Sequence, residues 1–219
     1  MPPLSPETPT EEQLSPYAKN LLAQKDEEIR QLKLELAAQV ELATTDALTG
    51  LENRRQFEKV LQEKILGTYR NKGKLIVIML DIDSFKKIND IHGHGYADEV
   101  LRGFANIVRH IKRPEDTFAR YGGEEFFLIF EQLQNTDLST FNMDRYREAL
   151  KAINRSPQGD GDPLTVSMGA VVVDFSEVDP SKGYTGINPD DIKRVADENL
   201  YVSKTTGKDK LTLSYMPAG

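Results

Sequence analysis

Cysteine is absent from the 219-residue chain. Its absence excludes disulfides and thiolate metal sites, and leaves oxygen donors and three histidines to hold any metal. Long apolar runs are missing too: no stretch approaches the length needed to span a bilayer. The opening Met1-Pro2-Pro3-Leu4 lacks the basic and apolar regions of a signal peptide, so a cytoplasmic protein without membrane insertion is expected. Positive charge is outweighed, with 28 Lys and Arg against 35 Asp and Glu and a net charge of -7. That balance argues against a general nucleic-acid surface, which relies on clustered cations, but is compatible with a nucleotide that brings its own metal. The composition, 38% hydrophobic and 29% charged, suits one globular domain with a modest extra element, and no internal repeat is visible.

Residues 1–13 contain four prolines among Ser, Thr and Glu and predict a disordered tail, in which Ser5-Pro6 and Thr8-Pro9 are candidate phosphorylation or docking sites. Residues 14–45 change to helix formers. Leu22, Ile29, Leu36 and Ala43 recur every seven residues, while Lys25 and Gln39 interrupt the second seam position. This pattern reads as a short coiled-coil stalk for dimerisation, or else as a helix packed on its own domain. Residues 46–219 form the folded domain.

Within that domain, Arg120-Tyr121-Gly122-Gly123-Glu124-Glu125-Phe126 stands between two apolar segments and predicts a tight hairpin with two carboxylates at its tip. Glycine there admits positive φ and close approach of a phosphate, and adjacent carboxylates repel phosphate unless a cation lies between them. The run Leu75–Leu80 ends in a second acidic cluster, Asp81-Ile82-Asp83. A strand ending in aspartates beside a hairpin ending in glutamates suits a hard divalent metal such as magnesium. A solvated turn with surface glutamates is the plainer alternative.

The segment 46–55 breaks the stalk pattern before an amphipathic helix carrying Phe57, Val60, Leu61, Ile65, Leu66 and Tyr69. After the strand at 75–82 comes a polar stretch, 84–98, and then a helix with Val100, Leu101, Phe104, Ile107, Val108 and Ile111. The hairpin follows, then a helix near 138–155, a strand near 164–173, a polar loop at 175–189, a helix at about 190–205 and a last strand at 210–215. This order predicts an α/β (α+β) domain with a mixed, mostly antiparallel sheet flanked by helices.

Together these motifs resemble GGDEF domains. Asp46-Ala-Leu-Thr-Gly-Leu-Glu-Asn-Arg-Arg55, Asp81-Ile-Asp-Ser-Phe-Lys86 with Asn89-Asp90 and Gly93-His94, Arg120–Phe126, Ser167-Met-Gly169, and Ala196-Asp197 with Leu200-Tyr201 and Lys204 occur in the family's order, over about residues 44–215. The resemblance implies a palm-like fold similar to nucleotidyl cyclases. It also implies a diguanylate cyclase that joins two GTP into cyclic di-GMP at a homodimer interface, releasing two pyrophosphates.

By the same resemblance, Asp81, the carbonyl of Ile82 and Glu124 correspond to ligands of magnesium, or of manganese in its place. Glu124 also corresponds to the proton acceptor, with Glu125 in support. Asn89 and Asp98 match the guanine-binding pair. A carboxylate can accept from guanine N1–H and N2–H together, whereas relatives with mixed guanine and adenine products tend to carry serine there. His94 matches another substrate contact, Phe85 and Lys86 lie in the phosphate loop, and Lys204 and Lys208 match cations facing the β- and γ-phosphates. Arg113-Pro114-Glu115-Asp116 has the spacing of a product-inhibition site, in which Arg113 and Asp116 bind cyclic di-GMP; the plainer reading is a Pro turn at a helix end. Asp83 either serves a second metal or caps the following turn.

Four positions depart from the pattern. Ala97 replaces a glycine and is expected to constrain a turn, Glu124 stands for Asp, Lys208 for Arg, and Ser203 for an alanine with little expected effect. A catalytically silent cyclic di-GMP receptor and a purely structural dimerisation module are the alternatives. A regulatory protein gripping the N-terminal tail is a candidate source of the activating signal.

Overall fold

The computed structural model describes residues 15–132, 164–179, 181 and 186–217. The proposed tail, the helix expected near 138–155 and part of the loop at 175–189 lie outside the described residues. Two compact units divide the chain, residues 1–43 and 44–219. In the first, helix α1 (Pro16–Thr44) has no buried residue. Its seven-residue stripe is open to solvent, with Leu22, Ile29 and Leu36 exposed at 49%, 47% and 61%.

The second unit is built on a sheet ordered β2-β3-β1-β4-β5, comprising β1 (Lys74–Ile82), β2 (Thr117–Gly122), β3 (Glu125–Gln132), β4 (Val166–Asp174) and β5 (Leu211–Pro217). Pairing is antiparallel except between β4 and β5. Three helices accompany it among the described residues: α2 (Arg54–Asn71), α3 (Phe85–Ile111) and α4 (Pro189–Thr205). None of the described helices is long and apolar enough to cross a membrane.

β1 lies in the middle of the sheet, and its near-continuous apolar run suits burial on both faces. Strand alternation sorts its side chains. Ile76, Ile78, Leu80 and Ile82 join Val100, Leu101, Phe104 and Val108 of α3 on one face. Leu75, Val77 and Met79 join Phe57, Leu61 and Ile65 of α2 and Ile192, Ala196 and Leu200 of α4 on the other. Asp81 and, on β3, Glu125 carry the numbering parity of this second face to the strand ends, so alternation directs both toward α2 and α4.

Local signals explain the helix ends. Asn53 Oδ1 accepts from Gln56 N at the start of α2, and Lys72 ends it in the left-handed region, with Gly73 N donating to Thr68 O. Asn188 caps α4 ahead of Pro189, and Asp190 and Asp191 occupy its first turn, where a carboxylate is favoured by the helix dipole. Where α4 crosses β4, a Cβ on Gly169 would lie 2.1 Å from Ala196 O and 2.2 Å from Leu200 N, so only glycine fits.

Two expectations change. The stretch 84–98 is not a loop before a helix: α3 already begins at Phe85, and the only non-helical backbone inside it is at Gly93, with φ 81° and ψ 168°. Ala97 consequently lies in helix, 3% exposed, and constrains no turn. Ser203 is not a neutral replacement either. Its buried Oγ donates to Met168 O at 2.8 Å and lies 2.7 Å from Thr212 Oγ1, tying α4 to both β4 and β5.

Candidate active site

The carboxylates meet where β1 and the β2–β3 hairpin end. Asp81 pairs with Glu125 across the β1–β3 ladder and with Ser167 across the β1–β4 ladder. Ile82 N donates to Glu124 O at 3.4 Å. Gly123, at φ 49°, makes the reversal that sets Glu124 at the tip. Arg120 holds this tip from behind. Its Nε and Nη2 donate to Gly123 O at 3.0 and 2.8 Å, and its Nη1 donates to both oxygens of Asp46 at 3.1 and 3.3 Å. Asp46 in turn accepts from Thr49 N and Oγ1. The segment 46–55 is therefore a brace for the hairpin, a role that the sequence reading leaves unassigned although both residues stand in recognised motifs. The signal for it was an arginine fork and a carboxylate recurring in separate motifs.

α4 delivers Lys204, whose Nζ lies 2.7 Å from Asp81 Oδ2. Asp81 is only 5% exposed. Burial pushes its carboxyl up to about 6; Lys204 opposes this, while Glu124 and Glu125 add to it. Burial likewise raises Glu125, against Lys204 and with help from Glu124 and from Asp197 on α4. Arg54 also acts on Glu125 and stacks over the Tyr121 ring at 4.4 Å. Lys204 thus faces two carboxylates, Asp81 and Glu125, with Glu124 adding negative charge beside them.

Among the described residues no group of three or more His, Asp or Glu forms a ready cage for a metal. Magnesium does not require one: it binds through one or two carboxylates and keeps waters or substrate phosphates as its other ligands. Hard oxygens from Asp81, the Ile82 carbonyl and Glu124, in a cation-poor setting, fit such an ion.

The other anticipated residues are distributed around α3. Phe85 is buried and Lys86 exposed in its first turn. Asn89 is half-buried, and its Oδ1 is buried without a hydrogen-bond partner among the described residues. His94 is exposed just after the Gly93 break. Asp98 is half-buried, 3.9 Å from Arg102 Nη2 one turn on. Lys208, between α4 and β5, reaches Ser84 Oγ with its Nζ at 3.0 Å.

Asp83 faces elsewhere: its oxygens accept from Thr165 Oγ1 and Ser167 Oγ, both at 2.7 Å, and from Asp209 N at 3.2 Å. Arg113 and Asp116 form a separate turn between α3 and β2. Arg113 N donates to Asp116 Oδ2 at 2.9 Å, leaving the Arg113 side chain exposed. Burial raises the Asp116 carboxyl, with Arg113 opposing.

Residues 43–210 match the family profile described as diguanylate cyclase, GGDEF domain. Diguanylate cyclase A of Treponema denticola is 31% identical over 207 residues, 92% of this chain and 52% of that protein. Response regulator PleD of Caulobacter vibrioides is 35% identical over 182 residues, 81% of this chain and 37% of that protein. The probable diguanylate cyclase DgcT of Escherichia coli is 33% identical over 78% of this chain and 36% of its own. The chain thus spans about a third to a half of the length of these curated relatives.

Among solved structures, the coiled coil and GGDEF domain of DgcB from Caulobacter crescentus, in complex with c-di-GMP, aligns with a TM-score of 0.70 at 28% identity, covering 90% of this chain and 99% of that one. Diguanylate cyclase SiaD from Pseudomonas aeruginosa, in complex with its activator SiaC, aligns with a TM-score of 0.68 at 27% identity, covering 90% and 74%. With its hairpin signature, its sheet order and matches at both levels, this chain belongs to the GGDEF family.

Proposed function

We propose that the protein is a diguanylate cyclase condensing two GTP into cyclic di-GMP with release of two pyrophosphates. The observation that carries this reading is the meeting of Asp81, Glu124 and Glu125 at the ends of β1 and the hairpin, with Lys204 paired to Asp81. Asp81, the Ile82 carbonyl and Glu124 would hold magnesium, or manganese in its place. Bound there, the metal would supply Lewis acidity, making the attacking hydroxyl more acidic and offsetting charge that develops at the α-phosphate.

This chain's own groups do the rest. Glu124 takes the proton of the 3'-hydroxyl as O3' bonds to the α-phosphorus and the bond to the pyrophosphate oxygen breaks. Glu125 supports the negative field that keeps cations at the tip. Lys204 exchanges its contact with Asp81 for the β- and γ-phosphates, and Lys208 joins it there as a point charge without a guanidinium's fork. Lys86 and the backbone at Phe85 line the phosphate loop.

At the far end of the substrate, Asn89 and Asp98 take the guanine edge. The unpartnered Asn89 Oδ1 supports this, because a buried acceptor left without a donor is costly and guanine N2–H supplies one. His94, exposed beside them, is a further substrate contact. One unit offers one such pocket, so the reaction needs two units facing each other, and α1, with its open apolar stripe, is the proposed dimerising stalk. The tail before it is the proposed grip for a regulatory protein; SiaD is an example of a relative bound to an activator.

Incubating the purified protein with GTP and magnesium, then separating nucleotides with mass detection, tests the activity. Cyclic di-GMP appearing with pyrophosphate is expected, and Glu124→Ala should abolish it without loss of helical circular dichroism; a fully active variant would refute the assignment of Glu124. Intact GTP together with tight cyclic di-GMP binding would make the protein a silent receptor instead. Product inhibition is proposed to act through the exposed Arg113 and its turn with Asp116. Arg113→Ala should shift the inhibition curve to at least about tenfold higher cyclic di-GMP, as for a lost charged, bidentate contact; an unchanged curve removes that site.

A further inference from the structure

Asp83 is the acidic residue of the Asp81-Ile82-Asp83 cluster for which the proposed reaction has no use. It is 6% exposed, yet three donors converge on it. Ser167 Oγ donates to Oδ1, and Thr165 Oγ1 and the backbone N–H of Asp209 donate to Oδ2. Asp83 N also donates to Thr165 O at 2.9 Å, so backbone and side chain both bind the start of β4.

The loop reached by the third bond is unusual. Gly207, Lys208 and Asp209 have φ of 124°, 60° and 45°, three successive residues in the positive region. For the two non-glycine residues this conformation is strained, and it persists only where surrounding contacts impose it. The imposing contacts are the Asp83 carboxylate on Asp209 N and Lys208 N donating to Ser203 O at 2.9 Å. Opposite, Ser84 is itself left-handed at φ 58°, and its Oγ accepts from Lys208 Nζ. Two strained loops, one after β1 and one before β5, are therefore clasped together, and Lys208 projects from the clasp.

We infer that Asp83 is a positioning residue for Lys208: it fixes the left-handed loop from which that ammonium reaches the phosphate end of the substrate, and it takes no part in holding the metal. The inference deepens the cyclase reading and rests on it. Its chemistry is consistent with the site's division of labour. Asp81 faces Lys204 and the hairpin, whereas the Asp83 oxygens are already occupied by donors from β4 and the loop before β5.

The test compares full-length wild type, Asp83→Ala, Lys208→Ala and the double variant. Titrations with a non-hydrolysable GTP analogue, with GMP and with magnesium are set beside deuterium exchange of a peptide spanning 206–211. Asp83→Ala should weaken the GTP analogue about tenfold, leave GMP affinity and the magnesium midpoint unchanged, and speed exchange in the loop. The double variant should lose no more than Lys208→Ala alone, because the two act on one interaction. Additive losses, or a shifted magnesium midpoint, would make Asp83 a metal ligand and overturn the inference, as would unchanged exchange. Should the alanine variant not fold, Asp83→Asn keeps the shape while replacing an acceptor with a donor, and must give the same pattern at smaller size. If wild type binds no analogue, the cyclase reading fails separately, and unchanged or faster loop exchange then decides the clasp by itself.

Discussion

Asp81 illustrates what a single buried carboxylate contributes. Its folded-state pKa, about 6, lies above the ordinary 3.8. The native state therefore binds that proton more tightly than the unfolded chain does. As pH rises through this window the fold loses stability, and the full cost, on the order of 3 kcal/mol at most, is present above the folded pKa. In a chelator, the melting-temperature difference between Asp81→Asn and wild type should move in the variant's favour between about pH 4.5, just above the unfolded value, and about pH 7.5, above the folded one. Equal differences at both values would show an ordinary carboxylate. The raised value of Asp116, on a separate turn, acts in the same sense in wild type and variant alike and cancels in the comparison.

Among the elements, the α4–β4 contact has the least tolerance. Gly169 allows backbone to touch backbone, and Asn199 Nδ2 donates to Ala170 O at 2.7 Å beside it. Gly169→Ala must push α4 away, at a cost of about 1–3 kcal/mol or more by the measure of overpacked cores, which urea denaturation can read. A variant as stable as wild type would mean that α4 slides freely. Sliding would also carry Lys204 off Asp81, so turnover should fall with stability.

The elements were legible where chemistry repeats locally. The apolar run of β1, the stripe of α2 and the Gly-Gly reversal all stood in the sequence. What could not be read depended on contacts distant in sequence. The helix through 85–98 was obscured by two glycines and by polar residues that are mostly exposed and not part of the core. The brace between Arg120 and Asp46 spans 74 positions, and the Asp83 clasp to Asp209 spans 126. Ser203 looked neutral because it lies on a helix and its two partners lie on strands β4 and β5.

At the scale of the molecule, a helix with no buried residue and an apolar stripe precedes the unit that carries the candidate site. If α1 joins two copies, Ile29→Arg should shift the sedimenting species from dimer toward monomer and make specific activity rise with protein concentration, since burying a charge at a coiled-coil seam is costly. An unchanged dimer with unchanged activity would place the association elsewhere. Deleting residues 1–13 should leave that association intact yet alter cellular cyclic di-GMP if a partner grips the tail; no change in the cell would count against the partner.

The sheet order also gives the site a graded resistance to opening. Asp81 stands at the end of the central strand, flanked on both sides by hydrogen-bonded neighbours, while the hairpin tip belongs to the β2–β3 pair, with β2 at the sheet's edge. Amides of β1 are expected to exchange only when the whole unit comes apart, and those of the hairpin tip by local fraying. Hydrogen exchange should therefore find the tip, the rim of the site, renewed many times within the lifetime of β1, its floor.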